Sequence, residues 1–505
     1  MTAREILRWT SLAVCLGLLL IFGRLWIRAI GGTGPYDYDE GVYLISARLT
    51  LHGQPLYVSV FNSQPPAFLQ LLAVAFRVFG DTLTVGRATS IAFAVLALSC
   101  VAGIAWRLFG AAAAPLALLA MGLAYVFFKE AVTVRTGLPA LALGLLAIAL
   151  LAGRARLSRW AYLASGAAFA LGTLCKLFVL PMLVPLLVLL VVPFSSVTEP
   201  GAALDEAARA ERPGTPRASR LLFFGLGGSL ASLLVLWPVD LPAAYAQAVG
   251  FHLRASTAFG IGLDQKLRML SLLLGGEIGV AILATMGMAA LWRANVRAAL
   301  WLAAWLAATG IFLAVHVPLW GHHAAIFLPP LALAASASVL WRSSLPPGPW
   351  RWSVLVLFLV PLVAVDFYVR PTGGVTWRLR WSAERDVTAL AAVQRAALLE
   401  EEAIALIRRH TSREHLVVSD QQLQLFLADR EPPPALVDTS LTRIASGSLT
   451  DQAAIDVSEH ARMIVFWTGR LERLTEFARW VRARFVLVYR SDRPSEPSRE
   501  IYVRE

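Results

Sequence analysis

The stretch GPYDYDEGVYLISARLTLHGQP, residues 34–55, follows the first hydrophobic segment of the chain and gathers Asp37, Asp39 and Glu40 within four positions. Clustered carboxylates resist ionising together, so they raise a pKa or bind a cation. The pattern therefore favours a general base or a divalent-metal ligand at this point. The alternative is a helix cap, in which Asp39 and Glu40 interact with the helix dipole. In either case we expect Asp37 to be a solvated neighbour.

The whole chain has the composition of an integral membrane protein. Of its 505 residues, 57% are hydrophobic and only 15% are charged, whereas soluble domains contain about 25% charged residues. The net charge of +12 comes mostly from arginines in short loops between apolar runs, as membrane orientation requires. No basic stripe with interleaved aromatic residues is present in the sequence, so nucleic acid is not expected as a partner.

Apolar windows predict a polytopic helical protein with about eleven transmembrane helices. About 20 residues are needed to cross roughly 30 Å of hydrocarbon, and several of the windows are shorter or contain Pro. The windows are 9–29, 88–107, 111–128, 137–153, 160–175, 177–194, 221–239, 269–291, 298–317, 323–341 and 352–369. A cytoplasmic N-terminus makes every predicted inner loop basic, beginning with Arg107 and then Arg154, and an odd number of spans places the C-terminus outside. We expect a multi-pass protein of the cytoplasmic membrane.

The distribution of apolar and charged residues divides the chain into two predicted domains. Residues 1–371 are predicted to form the transmembrane domain, whose long first outer loop, about 30–88, carries two helices on the membrane surface, at 42–51 and 65–80. Residues 372–505 are predicted to form an extracytoplasmic α/β domain with a partly parallel sheet. Its predicted strands are 416–420, 463–467 and 485–489, and its predicted helices are 384–410, 450–460 and 472–484. Without a Gly-rich phosphate loop, this domain is not expected to be catalytic.

Several motifs resemble a known family. YDYDEGVYLISARLTLHGQPLY (36–57) followed by NSQPPAFLQLLAVAFRVFG (62–80) resembles the opening of the bacterial protein-mannosyltransferase and aminoarabinose-transferase-like family, within the C-type glycosyltransferase superfamily. CKLFVLPMLVPLL (175–187) is similar to the Lys-containing span of that family, and GHHAAIFLPPLALA (321–334) is similar to the start of its His-containing late span. The likeness extends over essentially the whole chain.

The resemblance implies a hexosyl or pentosyl transferase that takes a sugar from a polyprenyl phosphate and joins it to a lipid, glycan or protein acceptor outside the cytoplasmic membrane. It implies that Asp39 is the catalytic base or orients the acceptor, with Glu40 beside it. The chemistry agrees, because an acceptor hydroxyl loses a proton as it attacks the anomeric carbon. The leaving lipid phosphate needs positive charge or a metal.

Candidates for the lipid phosphate lie at predicted outer ends of spans: Arg135, Lys176, His322 and His323. A cation at membrane depth marks a polar pathway, although snorkelling to the interface is the alternative for Lys176 and Arg135. Adjacent histidines point about 100° apart on a helix, so His322 and His323 are not expected to chelate one ion. Residues expected to contact the acceptor or order the loops are Asp37, Tyr43, Gln64, Glu130 and Glu277.

The chain departs from the family pattern at two places. It has Ser63 and Gln64 where some members place an acid and a Lys, and Gly137 where many place an acid. Glu130 is the candidate substitute for the missing acid, against the alternative of a solvated loop acid beside Lys129. A divalent metal at Asp39 and Glu40 therefore stays open. Two other functions also stay open: a flippase or transporter for a lipid-linked sugar, and an inactive family member with a binding role.

Overall fold

A computed structural model describes residues 2–30, 37–154, 157–192, 215–258, 262–267, 278–344, 387–493 and 496–505. The part before residue 345 is helical in its regular structure. Its α-helices are α1 (Ala3–Ile30), α2 (Tyr38–Leu51), α3 (Ala67–Phe79), α4 (Leu83–Phe109), α5 (Ala113–Gly122), α6 (Tyr125–Ala131), α7 (Gly137–Leu151), α8 (Arg159–Cys175), α9 (Leu183–Val191), α10 (Arg217–Leu236), α11 (Leu241–Tyr245), α12 (Phe251–Ala258), α13 (Ile278–Ala294), α14 (Val296–Val315) and α15 (Leu328–Ser336). Short 3₁₀ segments, Leu177–Met182, Gly321–Phe327 and Ala337–Ser344, precede or follow these helices.

The polytopic helical architecture predicted from the sequence is confirmed. Five helices are long and apolar enough to cross a membrane: Glu5–Ile30, Leu83–Phe109, Arg217–Leu236, Val296–Val315 and Gly321–Trp341. Helices α5 and α6 add a sixth span if this pair, bent by 76°, is counted as one. The described residues thus hold fewer full-length spans than the windows suggest, because several windows fold as shorter helices such as α7. The predicted span at 352–369 lies outside the described residues.

The first loop contains the two predicted helices. Helix α2 begins at Tyr38, before the predicted start at Val42, and Leu44, Ala47 and Leu49 are buried on it. Helix α3 buries Phe68, Leu72 and Phe76 among other residues. Its opposite face exposes large apolar side chains, namely Leu71, Val74, Val78 and Phe79. A helix with an apolar face left open in this way is suited to lie against lipid.

The C-terminal part contains a four-stranded sheet in the order β1-β2-β4-β3. Its strands are β1 (Val417–Ser419), β2 (Met463–Phe466), β3 (Val486–Arg493) and β4 (Glu496–Val503), and its α-helices are α16 (Val387–His410), α17 (Gln422–Ala428), α18 (Leu441–Ala445), α19 (Asp451–Ser458) and α20 (Thr475–Arg484). Strands β1 and β2 are parallel, whereas β4 runs antiparallel to both β2 and β3. The predicted partly parallel sheet is confirmed. Strand β4 was not predicted, because the polar run at its start hides the apolar pattern.

The C-terminal domain packs directly against α2. A Cβ placed on Gly41 would lie 2.2 Å from the backbone nitrogen of Leu423, so this close approach of two backbones requires glycine. Further along the helix, the buried Arg48 donates a hydrogen bond to the carbonyl of Phe426 at 3.3 Å and lies 4.0 Å over the Phe426 ring. Helix α2 is therefore enclosed between the membrane helices and the C-terminal domain.

Candidate functional site

Arg135, in the loop between α6 and α7, joins carboxylates that are distant in sequence. Its Nη1 donates a 2.9 Å hydrogen bond to Oε1 of Glu130, while its Nε and Nη2 both donate to the carboxylate of Asp37. The Nε also lies 3.9 Å from Oδ2 of Asp39. The sequence assigns Arg135 to a lipid phosphate, but in the structure its donors face carboxylates. Asp39 has the loosest of the three contacts.

Glu40 is fixed and closed to solvent. Its side chain is 1% exposed and receives two hydrogen bonds from Arg87, from Nε at 2.9 Å and from Nη2 at 2.7 Å. The backbone N–H of Val134 donates to the same carboxylate at 3.0 Å. A bidentate arginine pair of this kind is strong and geometrically specific. Glu40 therefore anchors α2 to α4 and has no free oxygen for a ligand in the cavity.

Asp37 is the N-cap of α2, because the helix begins at Tyr38 and the Asp37 carboxylate accepts a hydrogen bond from the backbone N–H of Glu40 at 3.3 Å. The expectation that Asp37 is a solvated neighbour is wrong, because its side chain is 16% exposed and paired with Arg135. Asp39 and Glu40 are not the cap, but they lie in the first turn of α2, where carboxylates interact favourably with the helix dipole. Burial acts to raise the pKa of the Asp37 carboxyl, but Arg135 and then Lys129 outweigh it, so the pKa lies below its ordinary value. Asp37 stays ionised.

Asp39 differs from both neighbours. Its side chain is 40% exposed, and its only ion pair among the described residues is the 3.9 Å contact with Arg135. Burial raises the pKa of Asp39, Arg135 opposes this, and the nearby charge of Asp37 raises it further, so the pKa lies above the ordinary value. Two carboxylates close together titrate as a coupled pair. Asp39 is the member of this pair that is open to a ligand and more ready to take a proton.

A large cavity of about 1180 Å³ opens in front of Asp39. One wall belongs to the membrane part and includes Asp37, Asp39, Glu130 and Arg135; the other wall belongs to the C-terminal domain and includes Arg470. Trp320 also lines the cavity and is 42% exposed. The size, the mixed polarity and the open aromatic side chain suit a polar ligand such as a glycan.

A second, smaller pocket of about 30 Å³ shares Glu130 and His322 with the large cavity. Lys176, His323 and Gly137 line it as well, together with apolar side chains such as Phe178 and Val179. The structure thus brings Lys176, His322 and His323 together, as the sequence predicts for a phosphate site, and adds Glu130. Arg135 lines only the large cavity.

Lys176 is the free cation of this pocket. It is 8% exposed, and its ammonium lies 4.8 Å over the Phe178 ring; within the residues that the structure describes it forms no hydrogen bond or ion pair. His323 accepts a 3.2 Å hydrogen bond at Nδ1 from the backbone N–H of Trp320. An acceptor Nδ1 implies that a neutral His323 carries its proton on Nε2. Lys176 and His323 therefore offer donors to an anion.

Glu130 and Gly137 are in contact. A Cβ on Gly137 would lie 3.0 Å from Oε2 of Glu130, so the missing side chain at 137 makes room for the Glu130 carboxylate. Glu130 is 1% exposed and paired with Arg135. The alternative of a solvated loop acid is therefore wrong. The Glu130 carboxylate therefore occupies the space that a side chain at position 137 would take. It lines both the large cavity and the small pocket, which are called the two chambers below.

The remaining predicted residues are less informative. Tyr43 packs edge-on against Phe68, with ring centroids 6.4 Å apart, and lines neither chamber. The backbone carbonyl of Gln64 accepts hydrogen bonds from Tyr57 and Asn62 at 2.6 and 2.7 Å, which fixes the loop before α3. Glu277 lies outside the described residues.

Sequence reasoning missed the loop from Trp467 to Arg473, which lines the large cavity from the C-terminal domain. The buried Asp420 organises this loop, because its carboxylate accepts hydrogen bonds from the backbone N–H groups of Trp467, Thr468, Arg470 and Leu471 at 2.8–3.4 Å. The available signal was an acid directly after strand β1. Arg87 was also missed, since nothing in the sequence links it to Glu40.

The described side chains around Asp39 and Glu40 do not form the metal site that the sequence leaves open. Among the described residues, no group of three or more His, Cys, Asp or Glu side chains is arranged to hold a metal ion. Glu40, one of the two candidate ligands, has its carboxylate occupied by Arg87 and Val134. The donors near Asp39 therefore do not fit a two-carboxylate cation site.

Comparisons with known proteins agree with the geometry. Residues 63–208 match the family model described as dolichyl-phosphate-mannose-protein mannosyltransferase. The fold is similar to that of ArnT from Cupriavidus metallidurans bound to undecaprenyl phosphate, with a TM-score of 0.63, 15% identity and 97% of each chain covered. The apo form of the same protein gives a TM-score of 0.59, also at 15% identity and 97% coverage of each chain. These likenesses confirm the family resemblance and fold class predicted from the sequence.

Other comparisons add little. An oligosaccharyltransferase from Archaeoglobus fulgidus, in complex with Zn and sulfate, has a TM-score of only 0.45 at 14% identity, over 96% of this chain and 72% of that chain. A similarity at this level bears on neither function nor metal. No protein of curated function matches the chain in sequence.

Proposed function

We propose, from the premise that this chain resembles the protein-mannosyltransferase and aminoarabinose-transferase-like family and has the fold of ArnT, that it is a membrane glycosyltransferase. In this proposal it moves a sugar from a polyprenyl phosphate to a lipid, glycan or protein acceptor. The observation that carries the proposal is the state of Asp39. Among the described carboxylates at the start of α2, Asp37, Asp39 and Glu40, only Asp39 both lines the cavity and lacks a tight cationic partner.

Asp39 acts as the general base in this proposal. A base is most useful when its pKa approaches the working pH, and the raised pKa of Asp39 moves it in that direction. Asp37, whose pKa is lowered, stays charged and adds to the repulsion that makes Asp39 take a proton. Arg135 and Glu40 hold the start of α2 in place and thereby orient Asp39.

The lipid phosphate binds in the smaller pocket in this proposal. Lys176 supplies positive charge there, and His322 and His323 supply N–H donors. A buried ammonium without a carboxylate partner is suited to an anionic ligand, because desolvation strengthens the attraction. ArnT from C. metallidurans has been solved with undecaprenyl phosphate, which supports a lipid of this chemistry. Glu130, shared by both chambers, marks where sugar and phosphate meet.

The transfer is a single displacement. The acceptor hydroxyl oxygen attacks the anomeric carbon while its proton passes to the Asp39 carboxylate. The bond between the anomeric carbon and the phosphate oxygen breaks, and its electron pair remains on the polyprenyl phosphate. Lys176 balances the charge that develops there, which is where electrostatic stabilisation contributes most. The configuration at the anomeric carbon is inverted.

The membrane orientation belongs to the same proposal. Arg87, beside Glu40, and Arg107 lie in the first and last parts of α4, and twenty residues of helix span about 30 Å, the thickness of the hydrocarbon layer. The carboxylates and Arg107 therefore belong at opposite faces. The positive-inside rule then puts Arg107 in the cytoplasm, and the cavity and C-terminal domain outside.

The direct test uses the full chain in lipid nanodiscs with a panel of polyprenyl-phosphate sugars. We expect one donor to release free polyprenyl phosphate when an acceptor-containing membrane extract is added. A flippase would instead move the labelled lipid between leaflets of a vesicle and release no polyprenyl phosphate. If every donor lipid in the panel is moved between leaflets and none releases polyprenyl phosphate, the proposal that the protein is a glycosyltransferase is refuted.

A further inference from the structure

The two walls of the large cavity have opposite charge. Among the described residues, the wall from the membrane part has three carboxylates and two cations: Asp37, Asp39, Glu130, Lys129 and Arg135. The wall from the C-terminal domain has three arginines and two carboxylates: Arg470, Arg473, Arg499, Glu400 and Glu472. A ligand that spans the cavity therefore meets an acidic floor at Asp39 and a basic roof.

The carboxylates of the roof are already paired. Glu400 accepts hydrogen bonds from Gln424 at 2.6 Å and from the indole of Trp467 at 2.9 Å. Glu472 lies 3.4 Å from Arg482, which is on α20. With three arginines against two carboxylates among the described residues, the roof presents net positive charge to the cavity.

Arg470 and Arg473 are the open members of the roof. Arg470 is half-buried, and its guanidinium lies 4.1 Å over the ring of Tyr38, the residue directly before Asp39. Arg473 is exposed. In the part of the chain that the structure describes, neither guanidinium has a carboxylate within ion-pair distance. An arginine is weakly hydrated and presents a planar fork of donors, which suits phosphate and carboxylate groups.

The loop is held rigidly enough to form a binding site. Asp420 fixes four consecutive or nearly consecutive N–H groups around Arg470. Tyr38, under Arg470, is itself tied to the C-terminal domain, because its hydroxyl accepts a 2.6 Å hydrogen bond from the backbone N–H of Thr439. Arg470 is thus positioned from both walls, and side chains held in this way bind a ligand without a large ordering cost.

We propose that Arg470 and Arg473 form an anion site for the acceptor, and that the acceptor of this enzyme carries a phosphate or carboxylate group beside the hydroxyl that is glycosylated. This proposal rests on the proposed function. The site is separate from the pocket for the lipid phosphate, because Lys176 and His323 line the small pocket and not the large cavity, whereas the two arginines line only the large cavity. The anion sits at the roof while the hydroxyl reaches Asp39.

Binding can be tested without any transfer reaction. The full chain in nanodiscs is titrated with inorganic pyrophosphate in a Lys176→Gln background, which removes the cation of the lipid-phosphate pocket. We expect saturable binding that weakens about tenfold, or 1.4 kcal/mol, when Arg470→Gln and Arg473→Gln are added. Arg479→Gln with Arg484→Gln is the matched control, since these arginines are exposed on α20 and line neither chamber. Equal weakening in the control, or none in the test variant, overturns the proposal.

A second readout uses acceptors. Once a donor is known, the preference for a phosphorylated or carboxylated acceptor over its neutral counterpart is measured as a ratio of kcat/KM. We expect Arg470→Gln with Arg473→Gln to lower this ratio about tenfold, mainly through KM. An unchanged ratio overturns the anion site. Absence of transfer to every acceptor would refute the proposed function instead, while the pyrophosphate result would still decide whether the arginines bind anions.

Discussion

The large cavity and the small pocket share Glu130 and His322 but differ in size and polarity. The cavity has a volume of about 1180 Å³ and charged walls from two parts of the chain, whereas the pocket has about 30 Å³ and is mainly apolar around Lys176. A narrow apolar pocket with one cation suits a lipid phosphate, and a wide polar cavity suits a glycan. In the proposed function, this difference places the donor in the small pocket and the acceptor in the large cavity, with Glu130 at the border that both share.

Asp39→Asn gives the largest expected effect. Asparagine keeps the shape of the side chain but cannot take a proton, so we expect transfer to fall by about 10²–10⁴, the usual contribution of a general base. Release of polyprenyl phosphate measures the rate. Glu459→Gln, which neutralises an exposed carboxylate outside both chambers, is the control and keeps the wild-type rate.

Lys176→Gln tests the small pocket. Loss of the cation removes charge stabilisation of the leaving phosphate, and we expect kcat to fall about 10²–10³, as for the loss of a preorganised donor. Binding of undecaprenyl phosphate, measured separately, should weaken as well. If Lys176→Gln lowers neither quantity, then Lys176 only snorkels and the assignment of the pocket to the phosphate is wrong.

Gly41→Ala tests the contact that closes the cavity. The new Cβ would lie 2.2 Å from the backbone of Leu423, and overpacking of this kind costs about 1–3 kcal/mol. We expect the C-terminal domain to become sensitive to protease in the folded protein and transfer to fall with it. Gly103→Ala is the control, because a Cβ at that helical position meets nothing within 4 Å.

Gly137→Ala gives the smallest expected effect. Its Cβ would approach Oε2 of Glu130 to 3.0 Å, so the carboxylate must move by a few tenths of an ångström. Displacement of about 1 Å in an active site can cost 10² in rate, and this smaller shift should cost about tenfold or less. A rate equal to that of the wild type would mean that the position of Glu130 is unimportant.

The sequence names residues that lie at the site, but it does not show which of them form ion pairs with one another. Apolar windows and motifs predict the helical architecture, and three of the candidates for the lipid phosphate, Lys176, His322 and His323, line one pocket. Local patterns could not identify Arg87 as the partner of Glu40, because these residues lie 47 positions apart. Arg135 was assigned to phosphate because an isolated cation near the membrane suggests an anionic ligand; only the fold shows that Asp37 and Glu130 already surround it.

The place of the C-terminal domain beside the cavity is hidden from the sequence for a related reason. The sequence of this domain contains no Gly-rich phosphate loop and gives no sign that it borders the site, whereas in the structure its loop around Arg470 forms a wall of the cavity. The contact depends on Gly41, whose missing side chain lets α17 approach α2. A single glycine in a helix gives no indication of which distant backbone it admits, so this arrangement could not be read from the sequence.

The pH dependence of kcat/KM, compared between the wild type and Asp39→Asn, tests the central claim most directly. A base acts only when deprotonated, so wild-type activity should rise with pH through the apparent pKa of the Asp37 and Asp39 pair. Because the pKa of Asp39 is raised, the increase in activity should occur at a pH above about 4, the ordinary pKa of an aspartate. The residual activity of Asp39→Asn should lack the rise. A variant that keeps both the rise and the wild-type rate would contradict Asp39 as the base.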